Sequence, residues 1–235
     1  IDIFKKKYDL ESIILKNAKI NIKYNHLKVP NFLIFKQKNN TKNLISIKKI
    51  ALLNTNLSIR KEPPGLNLSW HLKRSIISID NNYYTFNTEG LAERLIVGKI
   101  NYMNNKNFSF ITETKIITDT IKILESNLEV EKSTLNIKGN IFKGNIVDLK
   151  INATQQQISQ IITNLPKNIQ TICSPFIADG LISFNSSLNG LVNKENNPIF
   201  EMDYKIYEGS LKLNSTPFEL YNIELNGHLN NGRDR

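Results

Sequence analysis

The sequence predicts a mainly β protein, built as a long curled antiparallel sheet in a groove-like meander with one or two short helices. Apolar and polar residues alternate with a period of two through most of the 235 residues, as expected for strands with one dry and one wet face. Short stretches rich in glycine, proline and asparagine separate the alternating runs, which is typical of hairpin turns. One segment follows helical spacing instead.

The alternating runs place apolar side chains on one face and mostly Lys, Asn, Ser or Glu on the other. They begin with NAKINIKY, residues 17–24, and end with YNIELNGHL, residues 221–229. We expect the apolar sides of successive strands to merge into one continuous face. The candidate lining residues of that face are Ile20, Ile22, Leu68, Trp70, Ile137, Ile182, Phe184, Phe200, Met202, Tyr204, Ile206, Leu211, Leu213, Ile223 and Leu225.

Five short segments are predicted to be turns between strands. Their residue types favour tight turns, because glycine and asparagine tolerate positive φ and proline fixes φ for a turn. These segments are Pro63-Pro64-Gly65, Lys143-Gly144-Asn145, Asp179-Gly180, Asn193 to Pro198, and Glu208-Gly209. Because the connections are short, we expect sequential strands to pair with their neighbours.

One helix is predicted over residues 154–165. Its apolar residues recur at i, i+3, i+4 and i+7 and would share one helical face; they are Ile158, Ile161, Ile162 and Leu165. Thr154 and Gln157 have the spacing of a capping box. Pro166 predicts the end of the helix, because proline lacks the backbone N–H and clashes with the preceding turn.

The residue types do not predict an enzyme. His26, His71 and His228 are far apart in the sequence, and Cys173 is the only cysteine. The chain therefore cannot form an internal disulfide or a multi-cysteine zinc site. No nucleophile, metal or phosphate-loop motif is present. We expect no catalytic residue, no metal and no cofactor.

The net charge of +10 is compatible with nucleic acid, with anionic lipid or with simple solubility. Lysines are scattered along the strands, which argues against a nucleic-acid partner. The aromatic residues could form a stacking platform for bases, but packing in a core is the favoured interpretation. The residues concerned are Tyr83, Tyr84, Phe86, Phe108 and Phe110.

Residues 145–232 resemble the AsmA family of bacterial envelope proteins, within the AsmA/TamB superfamily. The resemblance rests on a strand followed by a short helix that ends at proline, NIVDLKINATQQQISQIITNLP, and on four later elements. These are the strand DGLISFNSSLNG, Pro198 before the next strand, the YEGSLKL hairpin and the closing LYNIELNGHLNNG. We accordingly divide the chain into residues 1–144, a β-meander segment, and residues 145–235, an AsmA-like segment continuous with it.

The resemblance implies a periplasmic protein that an anchor outside this chain tethers to the inner membrane of a Gram-negative bacterium. It implies a curled sheet whose hydrophobic groove carries phospholipid or other acyl lipid in outer-membrane biogenesis, with envelope proteins as partners. The chain would then be a piece of a longer protein. The alternative is a structural or adhesive β-solenoid or sandwich with a fully packed core, and periodicity alone does not distinguish an open groove from a closed core.

Overall fold

The computed structural model of the protein describes residues 7–24, 31, 44–61, 65–192 and 198–232. These residues form fifteen strands and two short helices, so the predicted mainly β class is confirmed. The strands are β1 (Lys7–Leu10), β2 (Ile13–Lys16), β3 (Lys19–Tyr24), β4 (Leu44–Ile47), β5 (Lys49–Lys61), β6 (Leu66–Asp80), β7 (Tyr83–Val97), β8 (Ile100–Met103), β9 (Lys106–Ile117), β10 (Thr120–Val130), β11 (Ser133–Phe142), β12 (Ile146–Gln157), β13 (Phe176–Leu191), β14 (Ile199–Leu213) and β15 (Glu219–Asn230). The helices α1 (Ile158–Asn164) and α2 (Lys167–Cys173) lie between β12 and β13.

Thirteen of the strands form one sheet. Eleven of them follow the order β15-β14-β13-β12-β11-β10-β9-β7-β6-β5-β2, while β3 pairs with β5 and β8 with β7 beside this path. The other two strands, β1 and β4, form a separate parallel pair. Successive strands from β9 to β15 pair antiparallel, which confirms the predicted neighbour pairing there. The pairs β5–β6, β6–β7 and β7–β8 also confirm it. The prediction was wrong for β9, which pairs with β7 and not with β8, and at the other edge, where β2 and β3 both pair parallel with β5. Within the described residues the two edges of the sheet are not paired with each other, so the sheet is open.

The strand register carries the apolar residues onto one face. Residues that are directly opposite in neighbouring strands project to the same side of a sheet. One such row crosses ten strands through Ile50, Ile77, Phe86, Thr112, Ser126, Ile137, Ile151, Ser186, Met202 and Leu229. We call the face that holds this row the inner face, and the opposite one the outer face.

The inner face is concave in the middle of the sheet. Leu72 and Ala92 are 2% and 0% exposed, although among the described residues the two-stranded β1–β4 sheet makes no extensive contact with β6 or β7. Side chains on a flat single layer would stay accessible, so this burial requires the face to curve towards itself. The buried core is formed by Leu52, Leu72, Ala92, Phe108 and Val130, and the half-buried side chains of Trp70, Leu57 and Ile20 pack against it.

Bulges within the long strands accompany this curvature. Asn54, Gln155, Glu208 and Asn222 have φ between 48° and 54° inside strands. The register shifts beside the last three of these residues. An extra residue on one strand bends it and increases its twist. Such bulges interrupt the hydrogen bonds only locally, so a single sheet can curl while its strands stay paired on both sides of each bulge.

Two predicted turns are in fact parts of continuous strands. β14 passes through Glu208-Gly209 as a bulge, and β13 passes through Asp179-Gly180. The turn at Lys143-Gly144-Asn145 is confirmed between β11 and β12. Gly65, the last residue of the predicted Pro63-Pro64-Gly65 turn, has a φ of 65°. Residues 62–64 and 193–197 lie outside the described residues.

The predicted helix is present but shorter. α1 begins after Gln157, which makes no side-chain capping bond, so the predicted capping box is wrong. Thr154 instead lies in β12, whose pairing with β13 extends to Gln157. The stop before Pro166 is confirmed, since α1 ends at Asn164. Pro166 then caps α2, a second helix that has no clear periodicity in the sequence.

Candidate functional site

The candidate lining residues all lie on the inner face. Met202 and Ile137 belong to the row that crosses the sheet, and Ile182, Ile206 and Leu225 form a second row on the same side. The remaining members are paired with inner-face residues of the neighbouring strand or pack against the buried core, which places them on the same face. The sequence pattern therefore selected residues that the fold brings onto one surface.

That surface differs in accessibility along the sheet. The large buried hydrophobic side chains lie between Leu52 and Val130, while among the described residues after Val130 the one buried hydrophobic side chain is that of Ala153. Leu68 is 8% exposed, whereas Leu225 is 45% exposed. The inner face is consequently packed as a core near β5–β10 and is open towards β15.

The open part has one partial cover. α1 contacts β12 and β13, and the other extensive contacts of the described strands are with their sheet neighbours. The side-chain amide nitrogen of Asn164 donates to the carbonyl oxygen of Val130 and to the hydroxyl of Ser133, both at 3.0 Å. These two bonds hold the end of α1 against the turn between β10 and β11.

An apolar cavity of about 540 Å³ lies beneath this helix. Its walls come from the end of β7, from β8, from β10 and β11, from α1 and from β13. The lining residues are Leu95, Val97, Tyr102, Met103, Leu128, Val130, Ser133, Leu135, Ile161, Asn164, Leu165 and Phe184. Of the candidate lining residues named from the sequence, Phe184 alone lines this cavity. The other lining residues come from elements that are distant in the sequence and that the fold brings together.

Small hydroxyl side chains also line the inner face, and the alternating pattern did not single them out. Ser75 and Thr88 are buried and their hydroxyl oxygens are 2.8 Å apart, while those of Thr112 and Ser126 are 2.6 Å apart. Ser186 is buried and donates to the carbonyl oxygen of Ile151 at 3.0 Å. A single serine or threonine at an apolar position of an alternating run is the signal that could have revealed them.

The outer face carries the polar groups. His71 Nδ1 lies 2.7 Å from Asn56 Oδ1, and His228 Nδ1 lies 2.8 Å from Asp203 Oδ1. Among the described residues no three His, Cys, Asp or Glu side chains lie close enough to hold a metal ion. His26 lies outside the described residues, and Cys173 is a free thiol on α2.

The outer face is not uniformly polar. One row at the end of β9–β13 contains exposed apolar side chains, contrary to the expected alternation. They are Ile117, Phe142, Ile146 and Leu191, with exposures of 37–46%. This end of the sheet is thus apolar on both sides.

Three aromatic residues, Trp70, Phe108 and Phe110, pack together in the core. The ring centroids of Trp70 and Phe108 are 4.7 Å apart, and Phe108 stacks on Phe110 at 6.1 Å. Phe108 is 5% exposed, so its ring is not available to stack on a base. Tyr83 is exposed on the surface and lies beneath the ammonium group of Lys115.

Shifted pKa values occur at two exposed groups of the described chain, both outside the cavity. A hydrogen bond to Glu11, together with the charge of that carboxylate, raises the pKa of Lys48. A hydrogen bond to Glu219 raises the pKa of Tyr221. Neither of the two described helices has the length and apolarity needed to span a bilayer.

The chain matches no family model, no curated protein and no solved structure. The inference of function therefore rests on the geometry of the inner face and on the sequence resemblance.

Proposed function

We propose that this chain is a non-catalytic segment of an AsmA-like envelope protein that holds lipid acyl chains on its inner face. The observation that carries the proposal is the open apolar surface of β11–β15, where Leu225 and Leu229 are 45% and 48% exposed and the described chain places no second layer over them. Extended apolar surface of this kind on a folded protein marks an interaction site.

An acyl chain on this surface gains about 0.8 kcal/mol for each methylene group removed from water. The apolar row continues across strands rather than ending in one deep pocket. A chain can therefore move along the row while it keeps most of its contacts. The head group remains in water at the open side of the sheet, and the net charge of +10 favours anionic head groups nearby.

In this proposal the protein acts in the periplasm and is tethered to the inner membrane by an anchor outside this chain. Its ligand is phospholipid or another acyl lipid, moved during outer-membrane biogenesis together with envelope partner proteins. No chemical step is required, so the proposal assigns no catalytic residue, no metal and no cofactor.

The test is to purify the chain from bacterial cells and to identify bound lipid by mass spectrometry. Met202→Glu places a charge in the middle of the open surface, and Asn226→Glu is the matched control. Asn226 lies opposite Lys205 on the outer face, so a carboxylate there meets a cation. We expect phospholipid with the native chain and the control, and at least a fivefold loss with Met202→Glu.

The stability of both variants decides how a loss is interpreted. Met202 is half-buried, so a glutamate there can reach water, and we expect a cost of roughly 1–2 kcal/mol rather than the larger cost of a fully buried charge. If the native chain carries no lipid and Met202→Glu unfolds it, the inner face is a closed core. The alternative function, a structural β module, would then replace the proposed one.

A further inference from the structure

The cavity beneath α1 differs from the rest of the inner face because it has walls on two sides as well as the sheet below. Ile161 of α1 and Leu165, the residue that follows α1, form one wall, and Val97 and Met103 of the β7–β8 hairpin form the other. The cavity is open to solvent at Val97 and Tyr102, which are 48% and 44% exposed. Its volume of about 540 Å³ falls in the range of roughly 300–1,000 Å³ that is usual for small-molecule sites. A ligand in the cavity therefore contacts more apolar surface than a chain on the open surface near β15.

The wall contains one polar corner, formed by Asn164 and Ser133. The two N–H groups of the Asn164 amide are used by Val130 and Ser133, so the orientation of the amide is set. The Asn164 Oδ1 atom is buried and has no hydrogen-bond partner among the described residues. Ser133 as a residue is 4% exposed. Its hydroxyl oxygen accepts the bond from Asn164, and the hydroxyl hydrogen is left to donate. The corner thus offers one acceptor and one donor.

The described residues that line this cavity include no charged side chain, and Tyr102 is the one titratable group among them. A phosphate or an ionised carboxylate would lie there without a counter-ion, which is costly in an apolar site. A neutral carboxyl group fits better. It provides an O–H donor for Asn164 Oδ1 and a C=O acceptor for the Ser133 hydroxyl, and both unused hydrogen-bonding groups are then satisfied.

We propose that this cavity binds one single-chain fatty acid in its neutral form, with the carboxyl group at Asn164 and Ser133 and the chain between α1 and the β7–β8 hairpin. This inference rests on the proposed function, since it assigns one lipid class to a defined position of the same apolar face. It adds a more tightly bound ligand to a surface on which other chains move.

Binding of the neutral form gives a specific pH dependence. The free acid is ionised near pH 7, because carboxyl groups have pKa values of about 4–5 in water. Binding then takes up one proton, and affinity rises about tenfold for each unit of decrease in pH between roughly 8 and 6. The affinity of 1-dodecanol, which has the O–H donor and does not titrate, stays constant over the same range.

The experiment uses the full chain and dodecanoic acid, 1-dodecanol and methyl dodecanoate as probes, measured by calorimetry at pH 6, 7 and 8. We expect 1-dodecanol to bind about tenfold more tightly than the methyl ester at all three pH values, because the ester has no donor for Asn164 and neither probe titrates. Asn164→Leu removes the acceptor and should bring this ratio close to one. The ratio is informative even if the substitution loosens α1, because a looser helix lowers the affinity of both probes by the same factor.

Ile161→Trp fills the cavity from α1, and Ser159→Trp is the control at an exposed position of the same helix. We expect at least a tenfold loss of dodecanoic acid binding with Ile161→Trp and no change with the control. Equal affinities of 1-dodecanol and the ester in the native chain would overturn the inference. So would an affinity for dodecanoic acid that does not rise as the pH falls, or unchanged binding by Ile161→Trp. Phospholipid that still co-purifies and still depends on Met202 would show that the proposed function survives this failure.

Discussion

Replacing Phe108 and Leu225 with alanine, one at a time, compares the packed and the open parts of the inner face. Phe108 is 5% exposed and contacts Trp70 and Phe110 through ring pairs at 4.7 Å and 6.1 Å. Truncation removes these contacts and leaves a cavity at the base of the groove. Comparable Phe→Ala changes in cores cost about 3–5 kcal/mol.

Leu225 occupies the same face on the edge strand but is 45% exposed. Its truncation loses about half of the roughly 1.5–3 kcal/mol that full burial of a leucine provides, and it leaves no enclosed cavity. We therefore expect a loss of about 1 kcal/mol for Leu225→Ala. The difference between the two variants should be at least about 2 kcal/mol.

Urea unfolding followed by circular dichroism measures both losses, provided that the m-values stay equal. Equal losses for the two variants would refute the proposed asymmetry, because Leu225 would then have to be covered by protein. A loss below about 1 kcal/mol for Phe108→Ala would instead contradict the aromatic core. Either result would remove the distinction between a closed base and an open groove.

Two further predictions concern neighbours on the inner face. Thr88→Val should cost about 1–3 kcal/mol because it leaves the buried Ser75 hydroxyl without its partner. Addition of Ser75→Ala should recover part of this loss, and strictly additive losses in a double-mutant cycle would contradict the coupling. Gly227→Ala should cost roughly 1–3 kcal/mol, because the added Cβ would overlap the Tyr204 ring. In a Tyr204→Ala background the same substitution should be nearly neutral, and a full cost there, measured by urea unfolding, would show that the ring is not the cause.

The segment YEGSLKL illustrates what alternation predicts and what it leaves open. Apolar residues occupy even positions from Phe200 to Ile206 and odd positions from Leu211, so one residue must be absorbed between them. A hairpin turn and a β-bulge both do this, and both favour a residue that tolerates positive φ. The bulge at Glu208 keeps β14 continuous and keeps Leu211 on the inner face.

The helical segment shows a second limit. The spacing of Ile158, Ile161 and Ile162 correctly indicated α1, because a helical face repeats within a few residues. Its start was wrong, because residues through Gln157 pair with β13, a strand that follows both helices in the chain. The long-range hydrogen bonds of Gln157 and the residues before it with β13 thus prevented the helix start that the local capping pattern predicted. The parallel pairing of β2 and β3 with β5 was also missed, because strand pairing between distant segments leaves no signal in the local pattern.

The alternating pattern is enough to define the two faces of the sheet. A period of two assigns each side chain to a face wherever the strand is regular, so the candidate lining residues could be named before the fold was known. The folded arrangement alone sets how deeply these residues are buried, where α1 covers the sheet and that Ser133 meets Asn164. These features depend on bulges and on pairing between distant strands, whose energies are not encoded in the local pattern of any one strand.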